Sequence, residues 1–265
     1  LFKIGGERRK TLAAVSFAAC GLAFAWHDVS AKPQAAYTIS MIQAIVYDAV
    51  GTLIHVQPAV QSIYAEIGRQ FGSRLSEDEI RRRFFPAFAR QDQVDEQAGW
   101  LTSEERELER WRAIVGEVLD DVADQAGCFH ALFEAFGKPA AWSCDPDALD
   151  LLIKFQRRGI RQAMASNFDR RLRAVVAPMP IAPYVDPIVV SSEVGWRKPA
   201  AAFFAHVADS LRLPMEQILY VGDDPDNDYH AACTVGMRAV LLDPKGRHAD
   251  VERRIKRLAE VCDVV

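Results

Sequence analysis

The stretch Ala44-Ile45-Val46-Tyr47-Asp48-Ala49-Val50-Gly51-Thr52-Leu53 decides the fold. Its apolar, β-branched run reads as a buried strand. The run stops at an acid, and Gly51-Thr52 then turns the chain. Open α/β sheets bind ligands beyond the carboxyl ends of their strands, so a carboxylate in that position points to chemistry at Asp48.

Downstream of residue 142, strand and helix patterns alternate. Pro146 to Phe155 is helical and ends at Gly159; Ile160 to Ala165 is a strand with Ser166-Asn167 at its tip. Asp169 to Val176 reads as a helix, Ile188 to Val190 as a short strand, and Pro199 to Leu211 as a helix with proline at its first position. Ile218 to Val221 is a strand ended by Gly222-Asp223-Asp224; a helix over about 227–235 and a strand over 239–242 follow. This alternation predicts a doubly wound parallel sheet.

Between 58 and 141 no strand pattern occurs. Pro58 to Phe71 has helical spacing, and Ser76 with Glu79 forms a capping box before Ile80, Phe84, Phe85 and Phe88 on one apolar face. Thr102-Ser103-Glu104-Glu105 opens a third helix, and about 128–136 forms a fourth. The expected organisation is an α/β core over 41–57 and 142–265 with an inserted all-helical cap over 58–141. Trp100, Trp111 and Trp142 are read as core or cap-hinge residues.

Residues 1–40 are set apart. Arg8-Arg9-Lys10 precedes an uncharged run to Trp26, and Val29-Ser30-Ala31 resembles a cleavage site. The reading taken is a tail or gene-start artefact outside the fold, with export as the alternative. The run is too short and too rich in Ala and Gly for a membrane span, so no stable membrane association is expected. A net charge of −4 over 265 residues gives no electrostatic footprint for nucleic acid. Arg81-Arg82-Arg83 follows three acids on one helix and reads as a solvated face. Five scattered cysteines without C-x-x-C spacing imply neither a disulfide framework nor a zinc site, and hence a reducing, cytoplasmic setting.

Four short elements fall at or after strand ends: Asp48, Ser166-Asn167, Lys198 before Pro199, and Gly222-Asp223-Asp224-Pro225-Asp226-Asn227-Asp228. Each has a plainer reading alone, as a turn, a helix cap or a solvated loop. Together, in a parallel sheet, they would bring an acid, a hydroxyl or amide donor, a cation and an acidic cluster to one crevice.

That set resembles the haloacid dehalogenase superfamily, in the subgroup with a helical cap inserted after the first strand, over about residues 42–243. The resemblance implies a small phosphorylated substrate and Mg²⁺ as cofactor. It makes Asp48 the nucleophile that carries an aspartyl-phosphate and Thr52 the residue that orients it. Ser166, Asn167 and Lys198 would bind phosphate. Asp48, the backbone carbonyl of Val50, Asp223 and Asp228 would hold the metal. The chemistry agrees: a carboxylate attacking a phosphodianion needs neutralising positive charge, and Mg²⁺ takes oxygen ligands from one or two carboxylates plus phosphate.

One position departs from the family pattern. Phosphatases of the superfamily have a second Asp two residues after the nucleophile, as general acid and base, where this chain has Val50. General acid–base catalysis contributes about 10²- to 10⁴-fold. The first reading is therefore a phosphohydrolase that is weak, restricted to good leaving groups, or supplied with an acid by His55, Asp92 or Asp95. The second is a metal-independent 2-haloacid dehalogenase, which also lacks the second acid; the third is a binding protein without turnover. A phosphonate hydrolase would need a Schiff-base lysine in the cap, where Lys138 is the sole lysine from 60 to 150.

Overall fold

The computed structural model describes residues 41–265, and the expectations for residues 1–40 lie outside the described residues. The chain runs through β1 (Ala44–Tyr47), β2 (Ile54–Val56) and four helices, α1 (Val60–Gln70), α2 (Glu77–Gln97), α3 (Glu104–Val118) and α4 (Gln125–Phe136). It returns through β3 (Trp142–Cys144), α5 (Ala148–Arg157), β4 (Arg161–Ser166), α6 (Arg171–Val176), β5 (Ile188–Val190) and α7 (Ser191–Val194). Then come α8 (Ala201–Leu211), β6 (Ile218–Gly222), a π-helical turn (Pro225–His230), α9 (Ala231–Thr234), β7 (Arg238–Leu242) and β8 (Arg254–Ile255).

Six strands form a parallel sheet in the order β5-β4-β1-β6-β7-β8. The strand order reverses at β1, and ligand crevices of doubly wound sheets form at such a switch point. Successive side chains of β1 point to opposite faces. Ile45 and Tyr47 pack with Leu152 and Phe155 of α5 and Val175 of α6. Ala44 and Val46 pack with Phe203, Phe204 and Val207 of α8. Both faces of β1 are fully buried, which is why its sequence is continuously apolar. Burying one such Ile or Val contributes about 1.5–3 kcal/mol.

The insert is helical, as the periodicity predicts. Ile63 and Tyr64, Ile80, Ile114 and Val115, and Phe129 and Leu132 place one buried stripe from each helix in a common core. Ser76 caps α2 in the expected box with Glu79. Phe85 departs from expectation: it is 66% exposed, turned away from the stripe that buries Ile80. The fourth helix begins at Gln125, ahead of the expected start, because Asp124 caps it through the Gly127 N–H. Likewise α8 begins at Ala201, so Pro199 lies just before the helix and not at its first position. The helix expected over 227–235 is a π-helical turn continued by α9. No helix of the described residues is long and apolar enough to cross a membrane.

The two chains that connect core and insert pair with each other. β2 and β3 form an antiparallel ribbon in which His55 meets Asp145 at 3.1 Å. A second junction lies across the insert. Leu101 bridges Trp196, Thr102 N–H donates to Gly195 O at 3.1 Å, and Arg197 N–H donates to Trp100 O at 3.0 Å. Beside it Asp95, fully buried, accepts hydrogen bonds from Arg106 (2.8 Å), Arg110 (2.6 Å) and the core residue Arg197 (2.5 Å). Glu107, buried as well, bonds Thr102 at 2.9 Å and lies 3.4 Å from Arg197. Such a cluster costs much desolvation to assemble, but removing one partner strands the others. Asp95→Asn is thus expected to lower the unfolding free energy by about 3–5 kcal/mol, read as the midpoint of urea denaturation. An unchanged midpoint would show that the three guanidinium groups do not depend on Asp95.

Candidate active site

Asp48 follows the last residue of β1 and is 5% exposed. Its N–H donates to Val221 O at 2.8 Å, so β6 holds its backbone. The chain then folds tightly: the Leu53 and Ile54 N–H groups both donate to Ala49 O. Gly51 has φ +94°, and a Cβ there would lie 2.3 Å from an Asp223 carboxylate oxygen. At Gly222 a Cβ would lie 2.2 Å from Asp228 Cγ. The two glycines clear the space in which these acids approach Asp48. Ligand oxygens of Asp48, Asp223 and Asp228 all lie within 4.8 Å of one another.

Lys198 enters this cluster from the loop after α7. Its Nζ, buried, donates to Asp48 Oδ1 at 2.7 Å and to Asp228 Oδ1 at 2.5 Å. Burial opposes a charged ammonium, but Asp228 and Asp48 outweigh it and hold the Lys198 pKa well above the ordinary value. The remaining acids show the strain of their grouping. Asp223 is pushed up to about 8 by desolvation and then by the charges of Asp48 and Asp228. One side of Asp223 stays open to solvent in the cleft, so a cation has access to it. Asp228 is raised to about 6 by burial, with Lys198 pulling the other way. Three carboxylates around one ammonium leave an excess of negative charge, which is what a divalent cation with oxygen ligands requires. The donor set therefore fits such an ion.

The sequence-predicted residues converge only in part as expected. Asp48, Val50, Ser166, Asn167, Lys198, Asp223 and Asp228 all line one cleft. Asn167, however, spends its side-chain amide on the loop that carries Lys198. Its Nδ2 donates to Lys198 O at 3.0 Å, and its Oδ1 accepts from Lys198 N–H at 2.7 Å. The amide fixes the lysine, and the Ser166 hydroxyl is the side-chain donor that strand β4 leaves toward the cleft. Thr52 is fully buried with no hydrogen-bond partner for Oγ1, so in this structure Asp48 takes its orientation from Lys198 and from its own backbone bond. Of the substitute acids, His55 is tied to Asp145 in the β2–β3 ribbon, and Asp95 is saturated by arginines. Only Asp92 lines the cleft, and Arg110 holds it at 2.7 Å. Lys138 does not line it.

Sequence reasoning missed Arg197 and the clamp by Asn167. The neighbour of a predicted catalytic lysine was a signal for the first. Trp142 in β3 donates Nε1–H to Phe136 O, and both it and Trp111 line the cleft.

A strand-end carboxylate, a buried lysine and an acidic cluster at the switch point of a parallel sheet define a hydrolase-type cleft under a helical cap. The chain belongs to the haloacid dehalogenase-like hydrolase family, whose profile matches residues 42–236. It is 29% identical over 214 residues to haloacid dehalogenase-like hydrolase domain-containing protein 3 of Xenopus laevis, covering 77% of this chain and 85% of the relative. It is 28% identical over 210 residues to ribulose-1,5-bisphosphate 5-phosphatase of Halopiger xanaduensis, covering 77% and 86%. The solved L-2-haloacid dehalogenase of Xanthobacter autotrophicus superposes with a TM-score of 0.66 at 17% identity, over 84% of this chain and 98% of that one, a likeness of fold.

The acidic cluster has a consequence for the protein without metal. Asp223 and Asp228 have folded-state pKa values above the ordinary carboxylate value, so their contribution to stability is full below about pH 4. It is lost as pH rises through about 6 and about 8. In EDTA, the melting temperature should therefore fall between pH 5 and 8 through these groups. Asp223→Asn should flatten that slope while leaving the value at pH 5 near wild type. An equal slope in the variant would remove Asp223 from this account.

Proposed function

We propose that this chain is a Mg²⁺-dependent phosphohydrolase that forms an aspartyl-phosphate on Asp48 and acts on phosphorylated small molecules with good leaving groups. The observation that carries this reading is the cluster of Asp48, Asp223 and Asp228 around the Lys198 ammonium. A haloacid dehalogenase needs no such surplus of carboxylates. The free thiols of Cys128, Cys144, Cys233 and Cys262 fit a reducing, cytoplasmic setting.

Mg²⁺, held by Asp48, Asp223, the Val50 carbonyl and Asp228 directly or through water, would neutralise phosphoryl charge. Asp48 supplies the attacking carboxylate. Lys198 binds a phosphate oxygen and steadies Asp48, and Ser166 donates to a second oxygen. Phosphoryl transfer asks chiefly for this positioning and charge compensation. Val50 protonates nothing, so the leaving oxygen departs unassisted, and water later attacks the aspartyl-phosphate without a general base at that position. The second step is then the slower one for an activated ester.

Three outcomes are expected. An aryl phosphate is hydrolysed with Mg²⁺ and not with EDTA, and Asp48→Asn brings the rate to background. Rapid mixing shows a burst of aryl alcohol, about one per active site, before slower turnover. Val50→Asp raises turnover of alkyl phosphates by about 10²- to 10⁴-fold. Metal-independent halide release from 2-chloropropionate would overturn the proposal in favour of a dehalogenase. Ligand binding without turnover of either class would leave a binding protein.

A further inference from the structure

We propose that the organic part of the substrate is a large, uncharged aromatic group, so that the chain takes aryl phosphate monoesters and not sugar phosphates or bisphosphates. The inference rests on the phosphohydrolase reading and specifies its substrate class. The cleft above Asp48 has a volume of about 510 Å³, in the range of sites for ligands well beyond the size of phosphate. Its walls away from Asp48 are mainly aromatic, with Phe84, Phe88, Trp111, Phe129, Phe133 and Trp142 from the cap and its hinge. Phe85 extends this lining and is 66% exposed.

The polar groups among these walls are already committed. Arg110 meets Asp92 and Asp95, Arg197 meets Asp95 and Glu107, and Arg171 meets Asp169 at 2.6 Å while lying 3.3 Å over the Phe133 ring. A second phosphate would find no free cation among the described lining residues, and would face the carboxylates of Asp92 and Glu107. Sugar hydroxyls set against these rings would give up hydrogen bonds to water without replacement. A ring system loses nothing of that kind and gains edge-to-face and offset contacts.

Val50 supports the same class independently. An Asp48 oxygen attacks phosphorus, the bond from phosphorus to the aryl oxygen breaks, and its electron pair leaves on a resonance-stabilised aryloxide that takes a proton from solvent. Water then cleaves the acyl phosphate, returning the Asp48 carboxylate and releasing inorganic phosphate. The sum is one ester and one water to one phenol and one phosphate, with no acid required at position 50.

The test separates cap from chemistry. Acetyl phosphate, whose small acyl group makes no use of the aromatic walls, reports on the phosphohydrolase reading alone. Binding of 1-naphthylmethylphosphonate and of 2-hydroxyethylphosphonate, measured by calorimetry with Mg²⁺ on the full chain, reports on the cleft whether or not turnover occurs. The naphthyl compound is expected to bind at least tenfold tighter, and Trp111→Asn to shrink that ratio to below threefold. In turnover, kcat/KM for 1-naphthyl phosphate relative to acetyl phosphate should fall at least tenfold in the same variant. Equal affinities in the wild type overturn the proposal, as does an unaltered ratio in a Trp111→Asn protein with wild-type circular dichroism. Naphthyl preference with no hydrolysis of acetyl phosphate would sustain the aromatic site and sink the phosphohydrolase reading beneath it.

Discussion

A buried ammonium held between two carboxylates organises this molecule. Lys198 sits away from water, where charge is tolerated only if compensated at short range. Asp48 and Asp228 compensate it from opposite sides of the switch point, one at the end of β1 and one in the turn after β6. The geometry demands support on every side. Asn167 holds the lysine's backbone, Val221 holds that of Asp48, and Gly51 and Gly222 supply the clearance for Asp223 and Asp228. The parallel sheet matters to function because it brings these groups from distant parts of the chain to one edge.

Local signals made much of this legible. The run ending at Asp48 reads as a buried strand because both faces of β1 are covered, and the capping box at Ser76 marks a helix start that the structure keeps. The converging motifs were visible because strand ends in a parallel sheet share one edge. What escaped was long-range or short. Asp95 and Arg197 are 102 residues apart, and no local pattern pairs them. β2 and β3 have three residues each, too few for a period to emerge. Asn167 looked like a phosphate ligand because an amide at a strand end is ambiguous. Only the fold shows that both its polar atoms face the Lys198 backbone. Phe85 was misplaced because one step along a helix turns a side chain by about 100°.

Val50 and the aromatic cap bear on one another. A site without a proton donor at that position favours leaving groups that stabilise their own negative charge, and extended ring systems do so. The cap presents rings to the cleft, and Arg110, the arginine it places there, is held by Asp92 and Asp95. Under the proposed function, substrate class and residual chemistry are thus two sides of one arrangement, in which hydrophobic walls select what a site with valine at position 50 transforms.

Arg197 and Lys198 share a peptide bond. The first is gripped by Asp95 and Glu107 of the cap, the second by Asp48 and Asp228 of the core. Two adjacent residues thus anchor one loop to both parts of the molecule, so that a change in the acids of the helical insert reaches the lysine of the cleft through a single peptide bond.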